Sequence, residues 1–151
     1  MDKLDADVEI ISVRENEAPM YSPDIGDQVP ADIHTLFDKL AASDANFIAS
    51  PEYNGSMPSM LKNVVDWLSW VKPGQHWLPG PLLLMGASPG PTGGSTNIAS
   101  IAGKAGYWGA TVAATFKQGS FGDAFDPATG LSGEDEARLE TALDALRSAM
   151  A

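Results

Sequence analysis

The sequence has no cysteine, which excludes disulfide bridges and thiolate metal sites and suits a reducing compartment. Cations are scarce: 9 Lys and Arg stand against 20 Asp and Glu, a formal net charge of −11. Sequence-independent binding to DNA or RNA draws on many Lys/Arg–phosphate contacts, so an isoelectric point near 4.3 speaks against a nucleic-acid partner. With 2 histidines and no cysteine, a typical zinc site cannot be assembled, and no metal is expected. The longest apolar run, residues 82–85, falls far short of the ~20 residues that span a bilayer. The opening Met1-Asp2-Lys3-Leu4-Asp5 has neither the basic nor the apolar part of a signal peptide. Repeats and low-complexity tracts are absent too. What remains is a chain of 151 residues, 44% hydrophobic and 19% charged, the balance of a globular protein. Residues 1–151 are expected to form one acidic, cytoplasmic domain, since domains run to ~100–200 residues.

Along the chain, 8–13 (VEIISV) is a β-branched run and predicts a strand. A polar, proline-containing stretch follows to Pro30. Ile33, Leu36, Phe37, Leu40 and Ala41 recur at helical spacing and predict a helix with one buried face. His34 and Asp38, one turn apart on it, read as a surface pair. Residues 46–50 predict a second strand, stopped by Pro51. Pro58 suits a first helical turn, and Leu61, Val64, Val65 and Leu68 then mark one helix face. Met60, Asn63, Trp67 and Trp70 form a stripe on a different side. One sheet cannot cover both, so this stripe has two readings: contact with another subunit, or cover from the loop that follows. Residues 82–87 predict a third strand, apolar enough to be buried on both sides. A helix over about 95–107 and a fourth strand at 111–116 come next. Ser132 and Asp135 then read as the capping pair of a last helix carrying Leu139, Leu143, Leu146 and Met150.

Strands alternating with helices imply βαβ units and a parallel sheet covered on both faces. Right-handed crossovers put every strand-to-helix loop on one edge of that sheet, where open α/β folds bind ligands. Two such loops stand out: Pro51-Glu52-Tyr53-Asn54-Gly55-Ser56 after the second strand, and Ser88-Pro89-Gly90-Pro91-Thr92-Gly93-Gly94-Ser95 after the third. Glycines 90, 93 and 94 let the backbone pass close to a flat or anionic ligand. No lysine follows them, so this is not a Walker A loop, and the spacing is not GxGxxG. Alone, each loop is an ordinary feature. No nucleophile–base pair can be assembled, so no catalytic side chain is expected.

Together with the helix between them the loops are distinctive. Pro51-Glu52-Tyr53-Asn54-Gly55-Ser56-Met57-Pro58, Leu61-Lys62-Asn63 and Asp66-Trp67-Leu68-Ser69 resemble the NADPH-dependent FMN reductases, a flavodoxin-like family of flavin, quinone, azo-dye and chromate reductases. Ser88-Pro89-Gly90 with Gly93-Gly94, and Ala18-Pro19-Met20-Tyr21 with Asp24, are similar to further stretches of that family. The resemblance implies a three-layer α/β/α domain that binds FMN, with NADPH or NADH as co-substrate and a small-molecule electron acceptor. It also implies that Pro51, Glu52, Tyr53, Asn54 and Gly55 line the isoalloxazine edge, largely through backbone groups, with Ser88, Gly90, Gly93 and Gly94 on its other side. The flavin supplies the redox chemistry and the protein supplies orientation and shielding.

Family members open with a strand and a Gly-Ser-x-Arg-x-x-Ser-like loop that wraps the FMN phosphate. Here 8–13 aligns with the family's second strand, so the expected sheet has four identifiable strands and lacks the usual first. Ser12-Val13-Arg14 is no substitute, because Glu15 and Glu17 repel a dianion and no glycine is present. In the order 2-1-3-4-5 the missing strand is central. Buried unpaired backbone groups cost about 1–3 kcal/mol each, so either the remaining strands close up or a partner chain fills the seam. Lys62, Lys104 and Lys117 are the nearby cations, each read most simply as a solvated surface charge. Trp77, Phe121 and Phe125 fall on loops, either covering a flavin face across a dimer or anchoring those loops. His76 reads as a solvated loop residue. Three readings of function follow: an NAD(P)H-dependent FMN oxidoreductase, homodimeric or homotetrameric through the helix of Trp67 and Trp70; a degenerate flavodoxin-like module that dimerises without flavin; and a binding protein that uses the same loop edge for another planar ligand.

Overall fold

The three consecutive leucines of the third predicted strand set the layering of the molecule. They lie in β2 (Gly80–Ala87), the centre of a parallel sheet ordered β1-β2-β3, with β1 (Asn46–Ala49) and β3 (Ala110–Gln118) at its sides. The structure is a computed structural model that describes residues 6–15 and 18–151. Side chains alternate across a strand, so Leu82 and Leu84 enter one apolar cluster and Leu83 the other, all three at 0% exposure. The first cluster takes Ile33, Leu36 and Phe37 from α1 (Ala31–Ala42), Val64, Val65, Trp67 and Leu68 from α2 (Ser59–Val71), and Ile98 and Ile101 from α3 (Ser95–Ala102). The second takes Leu143 and Leu146 from α6 (Gly133–Met150). Helices therefore cover both faces of a parallel sheet, the flavodoxin-like arrangement.

Residues 8–13 do not form the expected strand. They run without a ladder into a 3₁₀ turn, Val13–Glu15, so the parallel sheet holds three strands among the described residues rather than four. A β-branched run needs a strand to pair with, and tertiary context decides. Here Ile11 and Val13 pack on the first cluster, Glu9 pairs with Lys39 of α1, and Ile10 stays exposed. Nor do the remaining strands close up. Among the described residues β1 pairs with β2 alone, and Phe47 and Ala49 are exposed.

The helix predicted over 95–107 is two helices, α3 and α4 (Ala105–Trp108). Gly103 and Lys104 break it, and the break turns Ala105 and Trp108 into the core. Gly109 (φ 96°) ends α4, and a Cβ there would lie 2.5 Å from the Cβ of His76; that histidine packs against the turn. After β3 come α5 (Phe121–Ala124) and a short antiparallel pair, β4 (Phe125–Asp126) and β5 (Gly130–Leu131). Ser132 makes no side-chain cap to α6; Gly133 enters the helix at φ 59° and Asp135 accepts from Arg138 Nη1 at 2.6 Å. Asp38 likewise takes Lys72 Nζ at 2.7 Å rather than pairing with His34.

The second stripe on α2 is resolved by neither predicted reading alone. Trp67 is fully buried, its Nε1 donating to the Pro19 carbonyl at 2.7 Å. Asn63 holds the same segment through three bonds, accepting from Tyr21 N at 2.8 Å and donating to the carbonyls of Ala18 and Pro19 at 3.1 Å each. The cover comes from the segment before the helix, not from the loop after it. Trp70 and Met60 remain 44% and 43% exposed.

Candidate active site

Three loops leave the C-terminal ends of the three parallel strands and share one rim. The β1–β2 ladder extends one residue past β1, where Ser50 N donates to the Met85 carbonyl at 3.0 Å. Beyond it the chain makes a tight turn: Asn54 (φ 51°) and Gly55 (φ 71°) are both left-handed, and Tyr53 and Ser56 exchange two bonds of 3.0 Å. Two successive positive φ values define a type I′ turn, which Asn-Gly suits best. It lifts the Tyr53 side chain to 61% exposure.

The loop after β2 is braced by Ser88, whose Oγ accepts from Gly93 N and donates to the Gly90 carbonyl, both at 2.9 Å. It is also woven onto the end of β3. Ser88 N donates to the Gln118 carbonyl, Ser120 N to the Gly90 carbonyl and Phe121 N to the Ser88 carbonyl, at 2.9–3.0 Å. Close backbone approach explains the glycines. A Cβ on Gly93 would lie 2.8 Å from Gln118 N, and one on Gly119 would lie 2.2 Å from the Pro91 carbonyl oxygen. Residues 118–121 are thus a third part of the rim, of which the sequence singled out Phe121 alone. Their signal was slight, a Gln-Gly-Ser run directly after the last strand.

Glu52 and Asn97 tie the first two loops together. Asn97, in the first turn of α3 and fully buried, donates from Nδ2 to Ser50 Oγ at 2.9 Å and to the Pro51 carbonyl at 2.8 Å. Its backbone N–H donates to Glu52 Oε2 at 3.0 Å. A carboxylate therefore already occupies the positive end of α3. Like unit charges 4 Å apart repel by about 4 kcal/mol at an effective dielectric of 20. A second anion at this helix end is therefore disfavoured.

The structure brings all nine predicted positions into these two loops, in different environments. Pro51, Tyr53, Asn54, Gly55 and Gly90 are exposed, Glu52 and Ser88 half-buried, and Gly93 and Gly94 buried within the loop packing. Trp77 does not cover the rim; it is a core residue packed on Trp108 with ring centroids 5.1 Å apart. Phe121 and Phe125 stack on each other at 4.8 Å, half-exposed beside the 88–94 loop. Lys62 pairs with Asp66, and Lys104 bonds Ser100. Lys117 lines an open polar cleft of about 470 Å³ with Gln118, Ser120, Asp123, Asp135 and Arg138. Among the described residues no group of His, Asp or Glu is placed to hold a metal ion, and no helix is long and apolar enough to cross a membrane.

For FMN, the rim fits the ring system: exposed turn backbone, an exposed tyrosine and a glycine open on its outer side. It offers no Lys or Arg in 50–56 or 88–95 for the phosphate.

A parallel α/β sheet with its loops gathered at the strand C-termini defines a flavodoxin-like domain. The chain belongs to the NADPH-dependent FMN reductase family, whose sequence model matches residues 1–116. It is similar to the NADH:(hydroxy)cinnamate reductase subunit CrdA of Vibrio ruber, 37% identical over 90 residues, which are 60% of this chain and 43% of that protein. It is also similar to a quinone reductase of Escherichia coli, 36% identical over 81 residues, 52% of this chain and 43% of that protein. The match thus spans less than half the length of each of these relatives. Among solved structures, the flavoenzyme NAD(P)H:(acceptor) oxidoreductase FerB of Paracoccus denitrificans aligns over 99% of this chain and 84% of its own, with a TM-score of 0.80 and 25% identity.

Proposed function

We propose that this chain binds FMN on the 51–55 and 88–94 loops and acts in NAD(P)H-dependent reduction of a small acceptor of the flavin or quinone class. The observation that carries the reading is the shared rim: two loops on neighbouring parallel strands, joined through Asn97 and Glu52, with the turn at 53–56 exposed on one of them. Family membership and the printed activities of the relatives agree with it. When bound, FMN accepts a hydride from reduced nicotinamide and passes electrons to the acceptor. The chain's own part is to position. The Tyr53–Ser56 turn presents outward backbone along one ring edge, Gly90 leaves the other side open, and the Ser88 brace fixes the loop between them. No side chain here needs to move a proton.

The exposed remainder of the α2 stripe, Met60 and Trp70 with Tyr21 stacked on Trp70 at 6.1 Å, is the surface through which a homodimer or homotetramer forms on this reading. A cytoplasmic setting follows from the missing cysteines and the nicotinamide co-substrate. A second reading, a binding module without flavin, draws on the absence of any cation along the two loops. The deciding experiment incubates the purified 151-residue protein with FMN and separates it by gel filtration. Flavin absorbance travelling with the protein, bleached by NADH or NADPH, is expected; a colourless protein peak overturns the oxidoreductase reading in favour of the second.

A further inference from the structure

Past Ser50 the first two rim loops share no backbone–backbone hydrogen bond among the described residues. Every hydrogen bond that joins 50–52 to α3 runs through Asn97: two from its side-chain amide and one from its backbone to Glu52. Both amide hydrogens are spent on the opposite loop, while Asn97 Oδ1 is buried without a partner. That orphan acceptor shows what the residue is kept for. A side chain chosen for burial alone would be apolar, since an unpaired buried polar atom is a cost. An asparagine holds because its donors reach across. Gly94 enters α3 at φ 74°, a left-handed conformation that glycine adopts freely, and a Cβ there would meet the Glu52 Cβ at an ordinary 3.8 Å.

We propose that Asn97 and Glu52 form a clasp that makes the two loops one mechanical unit, and that Asn97 is a positioning residue for the planar ring the rim holds. The ring is FMN on the functional reading above, on which this half of the proposal rests. The 88–94 loop is already fixed by three backbone bonds, one to the last residue of β3 and two to Ser120 and Phe121 just after it. The clasp therefore transmits that anchoring to the 51–56 turn, which otherwise hangs from the end of β1.

The test uses the full chain, wild type beside Asn97→Ala and Glu52→Ala, with Leu143→Ala as a control that opens the far face of the sheet. Amide hydrogen exchange is followed without ligand at Tyr53 and Ser56 on one loop and Gly93 on the other. Both clasp variants are expected to raise exchange at Tyr53 and Ser56 while Gly93, held by Ser88 and the end of β3, stays near wild type, and the control to leave all three unchanged at a similar loss of thermal stability. Faster exchange confined to α3, or an equal rise in the control, overturns the clasp. FMN titration is the second readout: both clasp variants are expected to bind about tenfold more weakly, the control as wild type, and wild-type affinity in the clasp variants overturns the positioning role. If wild type takes up no FMN the flavin reading falls, the positioning role for FMN falls with it, and exchange alone decides the clasp. Should Asn97→Ala fail to fold, Glu52→Ala, at a half-buried position, decides by the same criteria.

Discussion

The indole of Trp67 and the carbonyl of Pro19, 48 positions apart in sequence, meet in a 2.7 Å hydrogen bond that seals the outer face of α2. With Asn63 it holds an irregular proline-containing segment against the core, where Ala18 and Tyr21 are partly buried. Buried polar groups left unpaired cost about 1–3 kcal/mol. Asn63→Ala, which breaks three bonds at a half-buried position, should lower the unfolding free energy by roughly 1–2 kcal/mol, and Trp67→Phe, which loses one bond and leaves a cavity at a fully buried site, by at least as much. Urea denaturation of the two variants checks this; wild-type stability in Asn63→Ala removes it as a tie for the 18–21 segment.

Gly119 and Gly90 lie in bonded loops of the same rim but should respond oppositely to alanine. A methyl at Gly119 meets the Pro91 carbonyl, while one at Gly90 meets nothing within 4 Å. Gly119→Ala is expected to destabilise by about 1–3 kcal/mol, and Gly90→Ala to stay within about 0.5 kcal/mol of wild type. Thermal denaturation distinguishes them.

The type I′ turn gives a third prediction. Asn54 and Gly55 both carry positive φ, which β-branched residues avoid. Asn54→Gly should leave stability nearly unchanged, whereas Gly55→Val should cost about 1–2 kcal/mol and weaken FMN uptake in the gel-filtration assay. Full uptake by Gly55→Val would show that the ring does not rest on this turn.

Trp70 tests the oligomer. It is 44% exposed while Trp67 is fully buried, so on the proposed oligomer Trp70→Glu should give folded monomers, with only the loss of the Tyr21 stacking contact to lower their stability. Sedimentation velocity reads the mass; an unchanged mass moves the interface elsewhere.

Much of this architecture was legible in the residues. The periodicity of Ile33, Leu36 and Phe37 placed α1, and the unbroken Leu82-Leu83-Leu84 run announced a strand covered on both sides. The two loops and their common edge followed from alternation and handedness. What escaped had a common cause, since each missed feature depends on a partner far away in sequence. The 8–13 run has strand composition, but composition does not supply a neighbouring ladder. Trp67 sits on a stripe assigned to another subunit or to the loop that follows, because its actual cover, the 18–21 segment, has no periodicity to give it away. Asn97 resembles any polar residue in a helix, and its importance lies wholly in reaching Ser50 and Pro51. Residues 118–121 carry no motif, and backbone hydrogen bonds to Ser88 and Gly90 weave them into the rim.

The leucine run of β2 has a consequence for sequence change. Because Leu83 serves one layer and its neighbours Leu82 and Leu84 the other, deleting a single position inside the strand would send every residue on one side of the deletion to the opposite layer. Both layers would then lose their fit at once, so a slip of frame here is worse than the loss of any one of these side chains. The strand acts as a spine shared by two cores, and its length is fixed from both sides.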